Sequence, residues 1–149
     1  MNSKKLSIGS DHGGLELKNS LVKSLEAAGF EVSDKGCFTK DSVDYPDYAK
    51  TVCADVVSGA VDFGVLVCTT GIGMSIAANK IRGIRAALCL YLDSAEFSRR
   101  HNNANVCCLG AKYLTEASAL EIVEKFAATD FDGGRHERRV AKFTEFENA

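Results

Sequence analysis

The sequence predicts an α/β fold in three layers, αβα, with a five-stranded parallel sheet at the centre. Strand-like and helix-like patterning alternate along the 149 residues, an order that builds a parallel sheet covered by helices on both faces. The strongest strand signal, Phe63-Gly64-Val65-Leu66-Val67-Cys68, is almost wholly apolar, as suits a central strand with no solvent face. Such a Rossmann-like arrangement gathers ligands at the carboxyl ends of its strands.

The elements follow in order. Residues 6–8 with Gly9 read as the first strand, and residues 11–14 as a turn. Over 15–28, Leu17, Leu21, Val22, Leu25 and Ala28 recur at helical spacing, and Gly29 can stop the helix. Residues 30–32 are a second strand. A polar loop covers 35–45, and the single proline, Pro46, can open a helix over 47–58. A Gly-rich turn at 69–73 leads from the central strand to a helix near 74–80. Residues 84–90 read as the fourth strand, 94–101 as a helix capped by Ser94, and 106–109 as the fifth strand. Helices over 115–127 and 135–146 complete the chain.

The length suits one domain over 1–149, with enough chain to bury a core without a disulfide or metal staple. A 46% apolar and 26% charged composition is that of a soluble globular protein. The net charge of −2 gives no global attraction to nucleic acid or to an anionic membrane. No apolar run approaches membrane-spanning length, and the start of the chain lacks a secretory h-region, so a cytoplasmic location is expected. The six cysteines, at 37, 53, 68, 89, 107 and 108, form no C-x-x-C pair and no zinc-finger spacing. They read as reduced thiols in apolar stretches, and no metal or other cofactor is expected.

Three segments fall where strands should end: residues 10–14, 68–73 and 110–112. In Cys68-Thr69-Thr70-Gly71-Ile72-Gly73 the glycines allow a sharp turn, and amides at a helix start suit an anion or an enediolate. A helix N-terminus also favours a cysteine thiolate. The same residues fit a tight turn around an inert, buried cysteine. Asp11-His12 can orient hydroxyls and move protons, or Asp11 can simply cap the next helix. His101, after Arg99 and Arg100, suits proton transfer near neutrality, or merely closes its helix. Arg135, Arg138, Arg139 and Lys142 share one helical face, which suits phosphate or is a solvated surface.

Together these segments resemble the type B ribose-5-phosphate isomerase family, which also includes galactose-6-phosphate and allose-6-phosphate isomerases. The resemblance runs through Gly9-Ser10-Asp11-His12-Gly13-Gly14, Ser42-Val43-Asp44-Tyr45-Pro46-Asp47, the stretch 71–80, Gly83-Ile84-Arg85-Ala86-Ala87, Ser98-Arg99-Arg100-His101-Asn102 and Gly133-Gly134-Arg135-His136. It implies interconversion of ribose 5-phosphate and ribulose 5-phosphate, a step of the non-oxidative pentose phosphate pathway, through a cis-enediolate. Cys68 resembles the base that moves the proton between C1 and C2. Thr70 and the amides of Thr69, Gly71, Ile72 and Gly73 match the enediolate site. His101 resembles the ring-opening histidine, with Asp11 orienting sugar oxygens. Tyr45 and Asn102 match sugar contacts, His12, Arg135 and Arg139 match phosphate contacts, and Lys112 stands where some members have arginine. The family also implies a homodimer or dimer of dimers with the pocket between subunits. Members that use glutamate as base carry it at the position of Met74, which cannot take a proton, so the cysteine variant is expected. One departure is Thr69, where the family commonly has glycine. A six-carbon sugar phosphate as substrate, and a sugar-phosphate sensor without turnover, are the alternatives.

Overall fold

The computed structural model describes residues 4–149. Five strands form one all-parallel sheet: β1 (Lys5–Ser10), β2 (Glu31–Asp34), β3 (Phe63–Cys68), β4 (Ala86–Leu88) and β5 (Val106–Gly110), in the order β2-β1-β3-β5-β4. Six α-helices accompany them among the described residues: α1 (Leu15–Ala27), α2 (Tyr45–Ser58), α3 (Ile72–Asn79), α4 (Leu92–Arg100), α5 (Glu116–Ala128) and α6 (Arg135–Glu145).

Side chains alternate across β3, as strand geometry requires. Phe63, Val65 and Val67 join a core with α1, α4 and α5, while Leu66 and Cys68 join a second core with α2 and α3. Both faces are therefore dry, which is why this strand carries no polar position. Gly64 keeps α2 close to the sheet, since a Cβ there would stand 2.7 Å from Val52 Cγ1. All six cysteines are free and buried. No helix among the described residues is long and apolar enough to cross a membrane.

Several boundaries differ from the sequence reading, three of them near the candidate residues or at a sheet edge. The ladder of β4 covers only Ala86–Leu88 rather than 84–90, because Arg85 donates its N–H to the Asn105 side chain instead of to a strand. Ser94 does not cap α4; that helix starts at Leu92, with Tyr91 at the cap position. α3 starts two residues before the expected 74, directly after Gly71, whose φ of 78° lets the chain turn from strand to helix. Thr115, by contrast, caps α5 in a reciprocal capping box with Ser118.

The strand order reverses between β1 and β3. The first connection leaves β1 towards β2, and later ones build outward past β3. The crevice above the carboxyl ends of β1 and β3 is thus the topological switch point. α6 lies elsewhere. Its first turn stacks on the end of α4, and the turn after it bonds Arg82 and Gly83 beyond α3, so it runs along the amino edge of the sheet.

Candidate active site

The three turns singled out by the sequence meet at the switch point and are tied to one another. Asp11 N–H donates to Val67 O at 3.3 Å, Ala111 N–H to Cys68 O at 2.9 Å, and Lys112 N–H to Thr69 O at 2.9 Å. The turn after β1 is braced from behind. Fully buried Lys18 pairs with both oxygens of Asp34 at 2.7 Å, Asp34 accepts from Gly36 N–H at 2.9 Å, and Gly36 O accepts from Ser10 N–H at 2.7 Å.

Cys68 ends β3 and is 4% exposed. Its sulfur accepts from Gly71 N–H at 3.1 Å, an acceptor role that suits a thiolate. Thr70 Oγ1 accepts from Ile72 N–H at 3.3 Å, at the first turn of α3. Tyr45 closes over the same turn: a Cβ on Gly73 would come within 2.6 Å of its ring. Asp11 does cap the short 3-10 turn that follows it, through Oδ1 to Gly14 N–H at 3.0 Å, which leaves Oδ2 for a ligand. His12 Nδ1 accepts from Val43 N–H at 3.2 Å, so the ring keeps Nε2–H as a donor. His12, Thr69 and Lys112 line one open cavity of about 580 Å³, together with Lys40, which the sequence reading did not single out. That size is normal for a small-molecule site. The Thr69 side chain lies against Gly13, where any Cβ would collide with Thr69 Oγ1. The unusual threonine is therefore accommodated beside the turn after β1.

The remaining candidates form a separate group. A helix that follows a strand runs back towards the amino edge of a parallel sheet, and α4 does so. Its end leads through Asn105, whose carbonyl accepts from Gly64 N–H at the start of β3. His101 and Asn102 lie at that edge. His101 sits between two rings, Phe97 at 5.0 Å and His136 at 4.2 Å, the latter stacked with planes 10° apart. Arg135 and Arg139 flank His136 on α6. Burial, then the charges of His101, Arg135 and Arg139, hold the His136 imidazole below its ordinary range, so it is neutral near pH 7. Arg100 reaches both oxygens of Asp132 at 3.2 Å.

The sequence reading did not place His136 and Asp132 beside His101. Nor did it anticipate that they and His101 bring metal-capable atoms within 4.8 Å of one another, where it found no such cluster. The i, i+4 pairing of Asp132 with His136 was visible, but its approach to His101 is tertiary. The stacked rings do not suit a shared ion, because each imidazole ligates in its own plane. Arg100 already occupies the carboxylate.

The candidate residues therefore fall into two groups at opposite edges of one sheet: a cysteine, turn amides, His12 and Lys112 at one, and a stacked histidine with arginines at the other. Known proteins share this fold. The family model described as Ribose/Galactose Isomerase matches residues 6–143. Ribose-5-phosphate isomerase B of Escherichia coli is 44% identical, over 97% of each chain. The crystal structure of a ribose 5-phosphate isomerase from Thermotoga maritima superposes with a TM-score of 0.93 at 52% identity, covering 95% of this chain and 97% of that one. The Mycoplasma genitalium ribose-5-phosphate isomerase B, solved with bound ribulose-5-phosphate, has a TM-score of 0.92 at 40% identity, covering 97% of this chain and 96% of that one. With a family match over most of its length and relatives well above 30% identity across nearly all of it, this chain is a member of the ribose/galactose isomerase family.

Proposed function

We propose that the protein is a cytoplasmic ribose-5-phosphate isomerase that works as a homodimer or a dimer of dimers, each site built from two subunits. The observation that carries this reading is the placement of Cys68 at the switch point, against the first turn of α3 and next to the turn residue Thr69, which lines an open cavity with His12 and Lys112. A thiolate there removes the C2 proton of the open aldose and returns it to C1, while the oxygens pass through a cis-enediolate. Thr70 and the N–H groups of the turn from Thr69 to Gly73 stabilise the negative charge as it develops. Asp11 and Tyr45 orient the sugar hydroxyls, and His12 and Lys112 receive the phosphate.

Ring opening needs a further acid/base group, since His12 is engaged with the phosphate and Asp11 with the sugar hydroxyls. His101 of a second subunit supplies it, and Asn102, Arg135 and Arg139 arrive on the same edge to complete the sugar and phosphate contacts. The relatives support this reading, since one of them was solved with ribulose-5-phosphate bound.

The test is turnover of the purified protein on ribose 5-phosphate, beside allose 6-phosphate and galactose 6-phosphate, with and without EDTA. Turnover of ribose 5-phosphate that survives EDTA is expected. Preference for a hexose phosphate would reassign the substrate, and a strict metal requirement would refute the proton-transfer scheme.

A further inference from the structure

We propose that Arg99 is a positioning residue for His101. It fixes the backbone turn that presents the imidazole, and it ties that turn to the segment that carries His136. The inference rests on the function proposed above only for the assay by which its kinetic effect is read.

Arg99 is 6% exposed at the end of α4. A buried guanidinium is costly unless its donors are satisfied, and here they end on carbonyl oxygens of three separate residues. Nε donates to Thr129 O at 3.0 Å, and one terminal nitrogen donates to Asn103 Oδ1 at 3.0 Å and Ala104 O at 2.5 Å. Arg85 adds a bond from its Nε to Asn103 O at 2.7 Å. Asn103 is thus held by a guanidinium on its side chain and another on its backbone. It needs that hold, because its φ of 49° is in the left-handed region that L-residues seldom adopt. This reversal directly follows His101 and Asn102.

The bond to Thr129 extends the effect. Thr129 follows α5 and begins the connector to α6. The next residue of α4, Arg100, grips that connector again, through its side chain to Asp132 and through its carbonyl to Asp132 N–H at 3.0 Å. The connector delivers His136 onto the face of His101. Two adjacent arginines therefore set both the backbone beneath His101 and the ring stacked on it. A lysine at position 99 would keep the charge but could not reach three acceptors in a fixed fork. Solvent contact or long-range charge does not account for the residue, since it is buried and lies next to a second cation, Arg85, that disfavours its own charge.

Two measurements test the proposal. In the first, the imidazole signals of the three histidines are followed by NMR in Arg99→Lys. Those of His101 and His136 should shift, and those of His12, at the opposite edge, should not. Unchanged His101 signals overturn the proposal. The second is a double-mutant cycle on ribose 5-phosphate. Arg99→Lys should lower kcat by about 10- to 100-fold, the scale of a misplaced catalytic group, with little change in KM. In a His101→Asn background it should add almost nothing. An equal loss in both backgrounds means that Arg99 acts elsewhere, and the proposal fails. Should Arg99→Lys not fold, Asn103→Ala removes one acceptor and leaves the other two bonds of Arg99. It should show the same non-additivity on a smaller scale, and additive loss there also overturns the proposal. The cycle asks whether Arg99 acts through His101, whatever step His101 performs, and the NMR measurement needs no turnover, so failure of the assigned reaction is read separately.

Discussion

Cys68 and His101 lie at opposite edges of the same parallel sheet. Cys68 closes β3 at its carboxyl end, while His101 follows α4 just before Asn105, which bonds Gly64 at the start of that strand. At about 3.3 Å per residue, the steps from Gly64 to Cys68 alone span roughly 13 Å. One subunit cannot place both groups on one sugar. Cys68→Ala and His101→Asn chains, each impaired alone, should therefore complement each other. Random pairing at equal amounts gives half mixed dimers, each with one intact site, so activity should recover to about a quarter of wild type. Co-expressed chains no more active than either alone would show that the site is not shared.

Cys68→Ala should abolish isomerisation and leave sugar-phosphate binding nearly intact, because a base acts in the transition state. General-base removal costs about 10²- to 10⁴-fold, and the loss should fall on kcat. A near-normal kcat would remove Cys68 from the mechanism.

Arg135→Ala and Arg139→Ala should act on KM instead. A charge-assisted bond to phosphate is worth roughly 1.5–3 kcal/mol, equivalent to about ten- to more than a hundred-fold in affinity. Titration with inorganic phosphate as a competitive inhibitor gives a second readout. If neither KM nor phosphate inhibition moves, the basic face of α6 is only solvated surface.

Gly110→Ala should damage the turn after Cys68, where the proposed chemistry lies. The new Cβ would stand 2.5 Å from Thr70 O and 2.7 Å from its carbonyl carbon, backbone atoms that cannot step aside. Overpacking of this kind costs about 1–3 kcal/mol, measurable as a lowered Tm together with reduced kcat. Gly29→Ala meets nothing within 4 Å; its φ of 97° costs stability without touching the turn, so kcat should hold.

These elements differ in how far the sequence revealed them. The run 63–68 was legible because both its faces are buried, so periodicity and composition agree. The edge strand β4 was overread, since apolar residues continue past the three that pair. Ser94 has the right chemistry for a cap, but α4 gains two residues ahead of it through Ala95 N–H to Tyr91 O at 3.4 Å. The meeting of residues 10–14, 68–73 and 110–112 followed from strand ends alone. The candidates His101, Asn102, Arg135 and Arg139 came from the resemblance without a location, although the direction of α4 in a parallel crossover implies the amino edge. The Asp132–His136–His101 contact joins segments that no local pattern relates.

His101→Asn should slow ring chemistry more than proton transfer. Ribose 5-phosphate is mostly a closed furanose in solution. Ribulose 5-phosphate cannot close through its C5 oxygen, which carries the phosphate. Opening is therefore needed only from the aldose side, and it requires a group that handles protons at the ring oxygen and the anomeric hydroxyl near neutral pH, as imidazole does. The overall equilibrium fixes the ratio of forward to reverse kcat/KM, so steady-state rates in the two directions cannot separate the steps. Isotope exchange can. Starting from ribulose 5-phosphate in D₂O, the variant should still form the enediolate and take deuterium into the ketose at C1, while cyclic ribose 5-phosphate appears slowly. The measurement is deuterium uptake into the ketose against appearance of the aldose. Parallel loss of both, down to the level of Cys68→Ala, would place His101 in the proton-transfer machinery itself and refute its role in ring opening.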